Sequence, residues 1–266
     1  MYTGLISFRI AKYLKHIFVS VNRKGHGIHS PFVFNLVNRV LRNRPETAIV
    51  CSIENVRKRL LRDNRVIDFK DFGAGLGSQG NNPRKVSYIA RYSPVPEKYG
   101  ILLANMAAEF GGQLIVEFGT SLGISTLYLA SFCGGTPVIS TEGSPAVAEI
   151  ADNNFKAAGL KNIRLNVGSF DDWIPVLINQ GIKPGLIFID GNHRKEPLLE
   201  YFKRMAEISG NNTVIIIDDI NYSPEMGEAW NEIKRYGKVT LTIDLFRMGI
   251  VFFRKGIGCN NYIIRY

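Results

Sequence analysis

Three acidic side chains follow two predicted strands in the second half of the chain. Asp190 ends one strand, within FIDGNHR, and Asp218 and Asp219 end the next, within IIIDDIN. Adjacent parallel strands bring their carboxyl ends together at the ligand-binding edge of a sheet. Carboxylates that converge there repel one another unless a positive charge neutralises them. Because Mg²⁺ prefers oxygen ligands, Asp190, Asp218 and Asp219 are predicted to hold a magnesium ion.

A histidine accompanies the first of these acids. His193 lies three residues after Asp190, within the same short loop. The pKa of an unperturbed imidazole suits a general base near neutral pH. His193 and Asp190 are therefore the predicted catalytic residues. The alternative, a histidine that is merely solvated, remains open for a loop position.

The segment VEFGTSLGIST (116–126) has the pattern of a nucleoside-binding loop. An apolar strand ends near Glu117, a turn holds Gly119 and Gly123, and a helical pattern follows. The next predicted strand ends at Glu142, where an acid commonly binds a ribose. The spacing is GxxxG and Ser125 stands at the start of the helix, which is unsuited to a pyrophosphate. A phosphate-free nucleoside that carries a carboxylate fits better than a dinucleotide.

A second glycine-rich loop, GLGSQG (75–80), matches GxGxxG literally but has the wrong surroundings. Asn81, Asn82 and Pro83 follow it where a helix should begin, and no strand ending in an acid follows at the expected distance. We interpret it as a surface loop, with a lid over a neighbouring site as the alternative.

The order of predicted helices, strands and loops changes near residue 100. Residues 1–100 alternate helical patterns with loops, whereas residues 101–266 alternate helices with strands. We therefore predict a mainly helical N-terminal extension over 1–100 and one α/β domain over 101–266. The predicted strands cover 113–118, 137–142, 163–168, 186–190, 213–218, 238–244 and 249–254. The last two are separated by four residues only, so they should form an antiparallel hairpin at the sheet edge.

Charge and cysteine content limit the partners and the compartment. Residues 1–100 contain 18 basic and 6 acidic residues, so the net charge of +10 belongs to this region. Such a surface can attract nucleic acid, anionic lipid or an anionic substrate, or only be solvated. Its first twenty residues form a basic amphipathic pattern, which predicts packing on the domain or a homodimer partner, with peripheral membrane contact as the alternative.

Three cysteines without a CxxC pair indicate a reducing, cytoplasmic location.

Residues 101–255 resemble the class I S-adenosylmethionine-dependent methyltransferases, nearest to catechol and macrocin-type O-methyltransferases. The resemblance implies a Rossmann-like, doubly wound seven-stranded sheet in the order 3-2-1-4-5-7-6 with the last strand antiparallel. It implies that Glu142 binds the ribose. It also implies contacts with the methionine part of the cofactor from Glu117, Gly119, Thr120, Ser121, Gly123 and Ser125. Contacts with adenine are implied for Gly168, Ser169 and Phe170. Two further cofactor contacts are implied at Gly143, beside Glu142, and at Asp190.

The implied activity is methyl transfer to a hydroxyl of a small-molecule acceptor, with assistance from Mg²⁺ open. The pair Asp218–Asp219 differs from the Asp-Asn pair of the catechol enzymes and suits the sugar-methylating relatives. Two alternatives remain: a methyltransferase for RNA or another polyanion, and a cofactor-binding protein without catalysis. An RNA-binding pattern of basic and aromatic residues is not evident in the sequence.

Overall fold

The computed structural model describes residues 2–20, 29–69, 82–256 and 260–266. The loop GLGSQG (75–80) lies outside these residues, so its interpretation as a surface loop or lid stays a prediction. Among the described residues, no helix is long and apolar enough to cross a membrane.

Ten α-helices and ten strands alternate along the described part of the chain. The helices are α1 (Tyr2–Val19), α2 (Pro31–Leu36), α3 (Thr47–Leu60), α4 (Val86–Tyr92), α5 (Glu97–Phe110), α6 (Ile124–Phe132), α7 (Pro145–Ala157), α8 (Phe170–Asn179), α9 (Lys195–Ile208) and α10 (Pro224–Ile233), with a π-helical turn at Val37–Leu41. The strands are β1 (Val66–Phe69), β2 (Asn82–Lys85), β3 (Ile115–Phe118), β4 (Val138–Glu142), β5 (Ile163–Val167), β6 (Leu186–Ile189), β7 (Val214–Ile217), β8 (Leu241–Asp244), β9 (Gly249–Phe252) and β10 (Asn260–Ile263).

Eight of these strands form one sheet in the order β10-β8-β9-β7-β6-β3-β4-β5. Numbered from β3, this is the predicted order 3-2-1-4-5-7-6 with one further strand. β9 runs antiparallel to both β7 and β8, as predicted. Strands β3, β6, β7 and β9 are buried along their whole length, which explains their continuous apolar sequences. The Rossmann-like fold class is confirmed.

The predicted count of seven strands is corrected to eight. β10 pairs parallel to β8 along Asn260–Ile263, so the β8–β9 hairpin lies one strand inside the sheet edge. The sequence of β10, NNYI, has neither an apolar run nor a clear alternation of apolar and polar residues. The strand is four residues long, and two of them are exposed. β1 and β2 form a separate antiparallel pair.

The chain divides into two compact units. One contains residues 1–43 and 187–266, and the other contains residues 44–186. This division follows contacts between residues, whereas the boundary predicted near residue 100 followed sequence pattern. The prediction of an N-terminal extension over 1–100 stays a prediction.

Candidate functional site

In the unit formed by residues 44–186, the tip of β3 carries a buried acid. Glu117 is fully buried, and its Oε2 accepts hydrogen bonds from Thr126 Oγ1 (2.5 Å) and Ser140 Oγ (2.6 Å). Its Oε1 is also buried and has no hydrogen-bond partner among the described residues. Burial raises the pKa of Glu117 above its ordinary value, although the hydroxyls of Ser125, Ser140 and Thr126 oppose the shift. A buried acceptor without a donor is rare, and it points to an absent donor.

The loop after β3 turns tightly through left-handed backbone. Gly119, Ser121 and Gly123 have φ of 103°, 48° and 87°. The N–H groups of Gly119 and Thr120 both donate to Thr141 O, and that of Gly123 donates to Thr120 O. Because the loop uses these donors internally, it does not present the row of free N–H groups that a pyrophosphate requires.

Glu142 is held in a fixed orientation at the end of β4. Its Oε2 accepts from Ser121 N (2.8 Å), and its Oε1 accepts from Ser144 N (2.9 Å). Each carboxylate oxygen has two acceptor positions, so a held carboxylate can still accept from a ligand. The bond to Ser121 joins the acid of β4 to the glycine loop. Gly143, between Glu142 and Ser144, is half-buried.

The segment after β5 combines capping with a constrained glycine. Gly168 has φ of 146° and donates its N–H to Glu142 O (2.9 Å). Ser169 is the N-cap of α8 and accepts from Asp172 N, which stabilises the start of that helix. Phe170 packs its ring edge-on against Phe118, with centroids 5.3 Å apart. Ser125, at the start of α6, is buried.

In the unit formed by residues 1–43 and 187–266, Arg247 neutralises the acids at the end of β7. Its Nε lies 2.9 Å from Asp218 Oδ1 and its Nη2 lies 2.7 Å from Asp218 Oδ2. The Asp218 side chain is fully buried, and Asp219 Oδ1 lies 3.7 Å from Arg247 Nε. Burial alone would lower the pKa of Arg247, but its hydrogen bonds to Asp218 raise the pKa above its ordinary value. The planar guanidinium pairs with both carboxylate oxygens at once.

These contacts do not fit the predicted magnesium site. Both oxygens of Asp218 are committed to Arg247, and that guanidinium also lies close to Asp219. The described residues contain no group of three or more His, Cys, Asp or Glu side chains placed to hold a metal ion. The sequence predicts that the acids need a positive charge nearby. It does not predict Arg247 as the source of that charge, because Arg247 lies in the β8–β9 turn and no local pattern relates it to the acids.

His193 lies beside Asp190 in the same unit. The His193 Nε2 atom is 3.8 Å from Asp190 Oδ1, and the two side chains are 27% and 13% exposed. The Tyr222 ring lies near the imidazole, with centroids 5.7 Å apart. Arg9 of α1 places its guanidinium 4.8 Å from the centroid of the Tyr222 ring. The two predicted catalytic residues therefore lie close together, beside the Tyr222 ring that follows β7 and the guanidinium of Arg9.

Comparison with known proteins agrees with the resemblance to class I methyltransferases. Residues 116–220 match the family described as "Methyltransferase domain". The chain is 32% identical over 122 residues to O-methyltransferase imqG of Aspergillus flavus. The aligned segment covers 43% of this chain and 49% of that protein. It is 30% identical over 128 residues to a catechol O-methyltransferase of Mycobacterium tuberculosis, which covers 47% of this chain and 56% of that protein.

Solved structures support the same fold. An O-methyltransferase from Bacillus cereus in complex with SAH superposes with a TM-score of 0.55 at 20% identity, over 83% of this chain and 97% of that chain. The O-methyltransferase TomG from Streptomyces achromogenes, in complex with SAM, gives a TM-score of 0.56 at 16% identity, over 84% and 96%. The chain spans about half the length of the curated relatives it matches. The family match at residues 116–220 and the curated relatives confirm the resemblance to O-methyltransferases.

Proposed function

We propose that this chain transfers a methyl group from S-adenosylmethionine to a hydroxyl of a small-molecule acceptor. The observation that carries the proposal is the arrangement around Glu142, where two backbone N–H groups orient a carboxylate at the end of β4. An oriented carboxylate can accept both hydroxyls of a ribose. The matched methyltransferase family and the curated O-methyltransferase relatives support this assignment.

The unpaired Oε1 of Glu117 fits the ammonium group of the cofactor. A buried carboxylate oxygen without a donor is completed by a charged donor, and such hydrogen bonds are among the strongest in proteins. The loop at 119–123 has already used three of its N–H groups internally, which favours a cofactor without phosphate. The residues proposed to contact the cofactor are Glu117, Gly119, Thr120, Ser121, Gly123, Ser125, Glu142, Gly143, Gly168, Ser169, Phe170 and Asp190.

When bound, S-adenosylmethionine supplies an activated methyl group on a sulfonium. The protein must then hold the acceptor oxygen in line and remove its proton. His193 takes that proton, and Asp190 stabilises the resulting imidazolium by its charge at 3.8 Å. Tyr222 offers a flat surface beside His193 on which an acceptor ring can pack.

The proposed reaction does not use a magnesium ion at Asp190, Asp218 and Asp219. Arg247 bonds to both oxygens of Asp218 and lies close to Asp219, so its positive charge provides the neutralisation for which the magnesium ion was predicted. Cys51 is an exposed free thiol and Cys133 a buried one, which supports the proposed reducing, cytoplasmic location.

Transfer of a labelled methyl group from S-adenosylmethionine to a panel of hydroxyl compounds tests the proposal. The panel includes catechols and sugars, and each compound is assayed with Mg²⁺ and with a chelator. We expect transfer to at least one compound, equal rates in both conditions, and a kcat about 100-fold lower for His193→Gln because a general base contributes on that scale. A strict need for Mg²⁺ would contradict the arginine assignment. Transfer to RNA alone would contradict the acceptor class.

A further inference from the structure

Helix α1 shows an uncovered apolar stripe along one face. Ile6, Ile10, Leu14 and Phe18 recur every four residues, which places them on one side of a helix. They are 56%, 55%, 51% and 85% exposed. Of the fourteen large apolar residues exposed in the described part of the chain, six lie on α1. Such a concentration on one helix marks an interaction surface rather than scattered exposure.

Contacts at Tyr13, His16 and Ile17 fix α1 to its own unit. His16 is buried, with Nδ1 3.5 Å from Asp244 Oδ1, and Tyr13 packs edge-on against Phe246. Arg265 donates from Nη2 to Ile17 O at 2.7 Å. These contacts hold the helix with its apolar stripe turned outward. The predicted packing of α1 on its own domain therefore accounts for one face only.

Arg9 and Lys15 flank the stripe at helical spacing, whereas Lys12 lies on the opposite face of α1. α1 contains Arg9, Lys12 and Lys15 and has no acidic residue. Burial lowers the pKa of Lys234, and the charges of Lys12 and Lys15 lower it further, although Asp244 opposes them. The helix therefore lies in a local excess of positive charge.

We propose that α1 lies in the plane of an anionic lipid surface, with Ile6, Ile10, Leu14 and Phe18 inserted at the headgroup boundary. An apolar stripe with basic borders is typical of helices that lie in a membrane interface. Each Lys or Arg near such a surface adds attraction to anionic headgroups. A second copy of this chain suits the surface less well, because two apposed α1 helices would bring Arg9 and Lys15 of both copies together without an acid from either helix.

Sedimentation with lipid vesicles tests this directly. The intact protein is mixed with vesicles of phosphatidylcholine alone, or of phosphatidylcholine with phosphatidylglycerol, at several salt concentrations. We expect binding to the anionic vesicles that weakens as salt rises. The pair Ile10→Ser and Leu14→Ser should lower this binding at least tenfold, because the buried apolar area is lost. Lys15→Gln should lower it about fivefold, because one charge beside the stripe is lost.

Matched changes away from α1 provide the control. Ile182→Ser and Lys161→Gln alter exposed residues of the same kinds, and they should leave vesicle binding unchanged. Circular dichroism of each variant confirms that the fold is intact. Equal binding to neutral vesicles, or no vesicle binding at all, would overturn the proposal. The proposal would also be overturned if the protein formed a dimer that Ile10→Ser and Leu14→Ser dissociate without changing vesicle binding. It would equally be overturned if the protein captured an acidic protein and did not bind lipid.

Discussion

At the scale of single residues, the pairing of Asp218 with Arg247 is the most informative contact. The Asp218 side chain is fully buried and bonded through both oxygens, and the Arg247 side chain is 25% exposed. Burying one carboxylate requires a partner of opposite charge, because an unpaired buried charge is costly. The pair therefore holds the β8–β9 turn against the end of β7.

Replacing Arg247 with Met should lower the free energy of unfolding by about 3–5 kcal/mol, because Asp218 would remain buried without its partner. Adding Asp218→Asn to Arg247→Met should restore most of that loss. Urea denaturation of the two single variants and the double variant measures the coupling.

Arg235→Met, at an exposed arginine, serves as the control and should change stability by less than about 0.5 kcal/mol. Additive effects of Asp218→Asn and Arg247→Met would contradict a specific pair.

Glu117 should make stability depend on pH. Its pKa in the folded protein is raised by burial, so the folded state keeps a proton that the unfolded state releases above its ordinary pKa of 4.5. Stability then falls as pH rises from that value toward the raised pKa, by at most about 1.4 kcal/mol for each pH unit. Glu117→Gln should flatten this slope in urea denaturation between pH 5 and pH 8. An unchanged slope would show that the buried carboxylate is ionised.

The residue types at the strand ends could be predicted, but their partners could not. Glu142, Asp190 and Asp218 follow apolar strands, and parallel topology places such residues at the binding edge. Arg247 lies 29 residues from Asp218 along the chain, and no local pattern couples them. An arginine in a turn is usually solvated, so only the folded structure shows its contacts with Asp218 and Asp219.

At the scale of elements, the close contact of α5 and α6 depends on one glycine. A Cβ at Gly100 would lie 2.3 Å from Tyr128 Cε2. Tyr128 is fully buried, and its hydroxyl donates to Glu54 Oε1 at 2.9 Å, which ties α6 to α3. Burial raises the pKa of Tyr128 further above its ordinary value, so the hydroxyl stays a donor.

Gly100→Ala should therefore destabilise the protein by about 1–3 kcal/mol through overpacking. Thermal or urea unfolding measures the loss. Gly237→Ala is the matched control, because a Cβ there meets nothing within 4 Å. Equal stability of the two variants would contradict the close packing of α5 against Tyr128.

Strong apolar sequences made most elements predictable. The strands from β3 to β9 begin and end within three residues of their predicted limits, since apolar residues bounded by turn residues mark each of them. β10 was not predicted because its sequence NNYI is polar and short. Its pairing with β8 depends on tertiary contact.

At the scale of the whole molecule, the resemblance and the fold agree although overall identity is low. The matched solved structures share 14–20% of their residues with this chain. Sequence similarity is concentrated at residues 116–220, where β3 to β7 and their loops lie. Loops vary most between proteins that share a fold, and function depends on such loops more than on the fold itself.

Calorimetric titration with S-adenosylmethionine tests the central claim most directly. We expect one cofactor bound per chain, and at least tenfold weaker binding by Glu142→Gln, because a charged acceptor for the ribose is lost. Glu109→Gln, at an exposed acid of α5, should bind like the original protein. The account would be contradicted if the original chain bound no cofactor, or if Glu142→Gln bound it with undiminished affinity.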